Sequence, residues 1–235
     1  YSEVAQGSNA LLSQQRAAAL LAHAQDDLKG AIRLLDDFAI SSPTDAVDVL
    51  RVKGQLFASV DRHEDALKFY DKAMRYRPGD EGLALSRAEL LLRMDRLDDA
   101  VTAYADAAGR WPDSAMTLNA YGYTLADRTD RFREAEKLIR RALQLEPDSA
   151  AIIDSMGWVL FKLGRLDEAL VELERAYDRM SDQEGSDEVA AHIIETLVAL
   201  ERRDTALERL VAAEERWPES EFLADIRERL FSDLP

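Results

Sequence analysis

Three histidines, His23, His63 and His192, and 46 acidic side chains are the residues of this 235-residue chain that could ligate a metal or move protons. A shared metal centre needs donors that converge, and the histidines stand at unrelated places, the last far along the chain from the first two. Cysteine is absent, which removes disulfides, thiolate zinc sites and cysteine nucleophiles and leaves the redox compartment open. No HExxH, GxSxG, P-loop or GxGxxG run occurs. Acidic neighbours such as Asp26 and Asp27, Asp36 and Asp37, and Asp98 and Asp99 fall where helix ends and wet faces are expected. The residues therefore predict no catalytic group, no metal site and no cofactor: not an enzyme.

Composition narrows the partners. Lys plus Arg total 30 against 46 for Asp plus Glu, a formal charge of −16, which repels phosphate backbones and anionic lipid surfaces. Nucleic acid is excluded as a partner on this ground. No apolar run approaches the roughly 20 residues that cross a bilayer as a helix. Hydrophobic residues make up 47%, aromatic residues only 7%, with 10 Gly and 6 Pro. Abundant helix formers and few β-branched runs predict an all-α fold.

The elements that would position any site come from a repeat. Alanine followed four residues later by Leu, Tyr or Ile recurs at Ala31/Leu35, Ala66/Tyr70, Ala100/Tyr104, Ala135/Ile139, Ala169/Leu173 and Ala206/Leu210. Twelve residues beyond the alanine stands Pro43, Pro78, Pro112, Pro147 or Pro218, with Ser181 in that place in the fifth repeat. This pattern resembles the tetratricopeptide repeat (TPR) family. The resemblance implies a right-handed superhelical solenoid of antiparallel helix pairs, A and B, in which each repeat buries its apolar face against its neighbours. It divides the chain into the end of a truncated preceding repeat at 1–11, with Gly7 to Asn9 as a turn, and six repeats at 12–45, 47–80, 81–114, 115–149, 150–183 and 187–220. A capping helix at 221–235 follows, its inner side carrying Phe222, Ile226, Leu230 and Phe231. The prolines are expected to stop helix B, and Ser114, Ser149 and Ser220 to cap the next helix A. Ser181 to Ser186 inserts three residues and reads as the looser joint.

At 100° per residue, repeat positions 4, 7, 8 and 11 share a core arc, as in Ile153, Met156, Gly157 and Leu160. Positions 2, 5, 9, 12 and 13 share a second arc, which lines the concave surface in TPR proteins. The candidate protein-binding groove on that arc is Arg51, Glu89, Arg93, Asn119, Tyr123, Asp127, Asp154, Trp158, Phe161 and Lys162. Tyr123, Trp158 and Phe161 are large aromatics that can serve as rigid contact area or tuck against the neighbouring helix A, and Asn119 can hold an extended backbone through its amide. Asp48, Glu89, Asp127, Asp154, Glu188 and Glu195 stand against Arg16, Arg51, Arg93 and Lys162 on the arc, a mixed charge. The Lys and Asn cluster with which cochaperone TPR domains hold a terminal carboxylate is missing from it.

The stretches from Leu118 to Phe132 and from Asp154 to Ala169 resemble an outer-membrane TPR lipoprotein group of gammaproteobacteria, adaptors of a periplasmic carboxyl-terminal processing protease. That resemblance implies a noncatalytic scaffold facing the periplasm that binds the protease and delivers cell-wall hydrolases to it, held to the membrane only through a lipid anchor outside these residues. The alternative is a chaperone or assembly factor that shields an apolar client segment in secretion or another envelope complex.

Overall fold

The six repeat alanines, Ala31, Ala66, Ala100, Ala135, Ala169 and Ala206, are all completely buried, and Leu35, Tyr70, Tyr104, Ile139, Leu173 and Leu210 four residues on are at most 4% exposed. A methyl at one turn and a large side chain at the next form a notch and a knob on one helix face, so neighbouring helices seat closely. The computed structural model describes residues 2–24, 27–37, 43–180 and 185–232, the side chains of 2–9 and 43–45 excepted. Among the described residues it holds helices and no strand: α1 (Ser2–Ala24), α2 (Leu28–Asp36), α3 (Pro43–Ser59), α4 (His63–Tyr76), α5 (Glu81–Arg93), α6 (Leu97–Arg110), α7 (Ala115–Arg128), α8 (Phe132–Leu145), α9 (Ala150–Lys162), α10 (Leu166–Met180), α11 (Ser186–Ala199), α12 (Arg203–Arg216) and α13 (Glu221–Phe231). None of these helices is long and apolar enough to cross a membrane.

The chain forms two compact units, Tyr1–Gly109 and Arg110–Pro235. In the N-terminal unit α1 packs on α2 and α3, α3 on α4, and α4 on α5. Phe57 and Phe69 stack with centroids 5.2 Å apart, and Gly54 lets the Tyr70 ring approach so closely that an added Cβ would lie 2.6 Å from it. In the C-terminal unit α7 packs on α8 and α9, α9 on α10, α10 on α11, α11 on α12, and α13 on both α11 and α12. Ile153, Leu173, Ile194, Leu210 and Phe231 are its fully buried centre.

Four of the turns from helix A to helix B, those after α3, α5, α9 and α11, use one recurring device. Asp61, Asp95, Gly164 and Glu201 have φ near +57° to +74°, and the amide of the following residue reaches back five positions, as Arg165 N to Leu160 O at 2.9 Å. This left-handed C-terminal cap satisfies carbonyls that the helix end leaves open. At the other ends, Asp80 accepts from Leu83 N, Ser114 from Thr117 N and Ser220 from Leu223 N.

Four local expectations are corrected. Gly7 to Asn9 makes no turn, because α1 runs through it as helix. Pro43 opens α3 instead of closing α2, as suits a residue with no N–H to satisfy at a first turn. Ser149 stands at an N-cap with extended backbone but its hydroxyl makes no cap bond. On α13, Phe222 is 46% exposed and Leu223 is buried with Ile226 and Phe231; spacings of three and five from Ile226 select the inward face, and the spacing of four from Phe222 leads off it. Of the joint from Ser181 to Ser186, residues 181–184 lie outside the described residues, as does Asp26.

Candidate protein-binding groove

Helix α9 is buried at every residue from Ile152 to Leu160. It packs on α7, α8 and α10 and also touches α11, so its second arc meets protein as well as solvent. Asp154 is 7% and Trp158 6% exposed. The Trp158 ring stacks on Phe161 (centroids 5.0 Å, 7°) and on His192 (4.3 Å, 19°), and Lys162 Nζ lies 4.5 Å from its centroid. Such contacts between π faces and a cation add to area burial. The Trp158 Nε1–H has no hydrogen-bond partner among the described residues.

Two polar contacts tie three helices A together. His192 Nδ1 of α11 lies 2.9 Å from Asp154 Oδ1 of α9, and the Tyr123 hydroxyl of α7 donates to Glu188 Oε1 of α11 at 2.8 Å. Burial alone would lower the His192 pKa, but the Asp154 carboxylate, with Glu188 and Glu195, prevails and holds it above the usual 6.5. Burial pushes the Tyr123 phenol upward, and the Glu188 charge pushes it the same way. Beside these groups an open pocket of about 310 Å³ is lined by Asn119, Tyr123, Asp154, Glu188, Met180 and Val189, among others. Asn119 Oδ1 is buried there without a partner among the described residues.

The structure thus brings Tyr123 and Asp154 to one helix A face with Asn119, and places Trp158, Phe161 and Lys162 in a stack beside it. Asp127 is exposed at the end of α7. Arg51, Glu89 and Arg93 belong to the N-terminal unit. There Glu89 and Arg93 line a pocket of about 240 Å³ with Gln55 and Tyr70, and Arg93 donates to Ala58 O at 3.0 Å. Arg51 pairs with Asp48 at 3.3 Å. Burial, aided by Glu89 and opposed by Arg93 and Arg51, pushes the Tyr70 phenol up to about 12. His23 bonds Ser59 at 2.9 Å and His63 lies 3.8 Å from Asp61; no group of three metal-ligating side chains forms among the described residues.

His192 is the residue that arc reasoning missed, since it stands one position off the second arc. Its signal was the run Glu188, His192, Glu195, whose spacings of four and three put both acids on the histidine's side of α11.

Residues 85–150 and 124–184 match the tetratricopeptide repeat family profile. A TPR repeat-containing protein of Pseudomonas aeruginosa is 34% identical over 193 residues, which covers 82% of this chain and 32% of that protein, so the chain spans about a third of its length. Among solved structures, PilW, a widely conserved type IV pilus biogenesis factor, has a TM-score of 0.68 at 17% identity, covering 91% of this chain and 96% of its own. YrrB, a TPR protein with an unusual peptide-binding site, has a TM-score of 0.54 at 20% identity, covering 81% of this chain and 100% of its own. At these identities the solved structures share the fold.

Proposed function

We propose that this chain, a tetratricopeptide-repeat protein, is a noncatalytic scaffold that binds a protein segment on the face shared by α7, α9 and α11. The observation that carries the reading is the pair of contacts Tyr123–Glu188 and Asp154–His192, which hold three helices A in register beside an open pocket. A face pre-organised in this way loses little entropy when it binds an extended segment. The peptide-binding site of the similarly folded YrrB is in keeping with it. The six repeats and the capping helix α13 are the frame that this reading assumes.

Its most specific form is an adaptor in the periplasm, anchored to the outer membrane in the full protein, that binds a carboxyl-terminal processing protease and delivers cell-wall hydrolases. The support is the resemblance over Leu118–Phe132 and Asp154–Ala169, segments that hold most of α7 and α9, the turns after them and the starts of α8 and α10. Titration against the purified protease and against candidate hydrolases, with proteolysis followed in parallel, tests both levels. Binding without cleavage by the chain alone is expected. Cleavage by the chain alone would overturn the scaffold, and binding of neither protein would overturn the adaptor.

A further inference from the structure

The pocket beside α7, α9 and α11 offers hydrogen-bond acceptors that its own surroundings leave unfilled. Glu188 takes the Tyr123 hydroxyl on one oxygen and pairs with no cation among the described residues. Asp154, although 7% exposed, commits only Oδ1, to His192; its second oxygen receives no hydrogen bond from a described residue. Asn119 Oδ1 is buried and unpartnered. All three residues line the same pocket, whose remaining wall includes Ala120, Ala151, Met180 and Val189. A buried acceptor without a donor is costly, and a part-buried carboxylate gains from a cation brought close to it. Lys162 does not fill this need, because its Nζ lies over the Trp158 ring and the residue is not part of the pocket lining.

We infer that this pocket is a subsite for a basic side chain, lysine or arginine, of the bound segment. The inference rests on the scaffold reading above and names the chemistry its client presents there. An ammonium or guanidinium carries only donors, which matches the carboxylate oxygens that Glu188 and Asp154 leave open on this lining. The apolar wall suits the methylene stem that such residues bury while the head stays polar. A client carboxylate would meet Glu188 and Asp154 as like charges, so an acidic terminus is the occupant this lining rejects.

The test uses n-butylammonium, with 1-butanol as its uncharged counterpart, titrated into the chain while the amide signals of Ala120, Ala151 and Val189 are followed by NMR. Saturable shifts with the ammonium and none with the alcohol are expected. Glu188→Gln keeps an acceptor for the Tyr123 hydroxyl and should weaken the ammonium at least tenfold in a chain that still unfolds cooperatively. Ala151→Arg, at an exposed site on the rim, supplies its own guanidinium and should abolish the shifts; it serves as the readout if Glu188→Gln melts early. Equal response to both probes, no response to either, or full binding in a folded variant would overturn the subsite. Those failures leave the protease and hydrolase titrations standing. Loss of protein binding with the ammonium site intact would overturn the scaffold reading instead.

Discussion

The two units place the same repeat positions on the same kind of helix and treat their charges differently. In the N-terminal unit, Arg51 is held by the part-buried Asp48 three residues away, and Arg93 donates to Ala58 O and lies 3.8 Å from the exposed Asp61. In the C-terminal unit, Asp154 is met by a buried histidine and Glu188 by a neutral phenol. Arc charge therefore divides: Asp48 and Glu89 against Arg16, Arg51 and Arg93 in the first unit, and Asp127, Asp154, Glu188 and Glu195 against Lys162 in the second. A repeat scaffold fixes where a side chain stands, and the partner it finds there fixes what the face attracts.

The largest test of that contrast is His192→Leu set beside His23→Leu. Removing one member of a buried pair leaves the other uncompensated, so His192→Leu should cost about 3 kcal/mol in denaturant unfolding near pH 6, while the exposed His23 should cost within about 0.5 kcal/mol. The pH dependence has a definite sign. The folded pKa of His192 is raised above 6.5, so its contribution is fully present below 6.5 and is lost as the pH rises through the folded value. Facing groups are Asp154 on α9, Glu188 and Glu195 on α11, and Tyr123 on α7 and Arg229 on α13 through those acids. A gap between wild type and His192→Leu that widens with pH would contradict the pairing.

Where the units are alike, they should respond alike. Ala169→Leu and Ala66→Leu each overpack a completely buried methyl site and should each lower stability by about 1–3 kcal/mol, read in thermal melts. A neutral result at either would remove that alanine from the helix contact. Tyr123→Phe should cost about 1.5 kcal/mol, since it removes a donor from a charged acceptor. Arg51→Ala should cost less than about 1 kcal/mol and still less in high salt, because its pair is only part-buried and keeps water access; a larger loss would blur the distinction between the units.

Much of the frame was legible because it is periodic. The alanine and large-residue pairs state where helices touch, and every one of them is buried. The groove was legible only as an arc. Helical angle says which way Asp154 and Trp158 point, but α7 and α11 decide what they meet, and that is why both residues of the arc lie more than nine-tenths buried. His192 was hidden for the same reason: its partner Asp154 is 38 positions away, a distance that only repeat stacking closes. Ser149 and Phe222 show the remaining gap, since a residue of the right type at the right place still depends on local backbone and on which neighbour fills the inward face.

The central claim, binding without catalysis through the acidic face of the C-terminal unit, is tested most directly by one comparative titration. The purified processing protease and a hydrolase are titrated against wild type, Ala151→Arg and, as the N-terminal counterpart, Arg93→Ala, with cleavage monitored. The expected result is binding that Ala151→Arg weakens at least tenfold and Arg93→Ala changes little, with no cleavage by the chain alone. Binding that ignores Ala151→Arg but is lost with Arg93→Ala would contradict it.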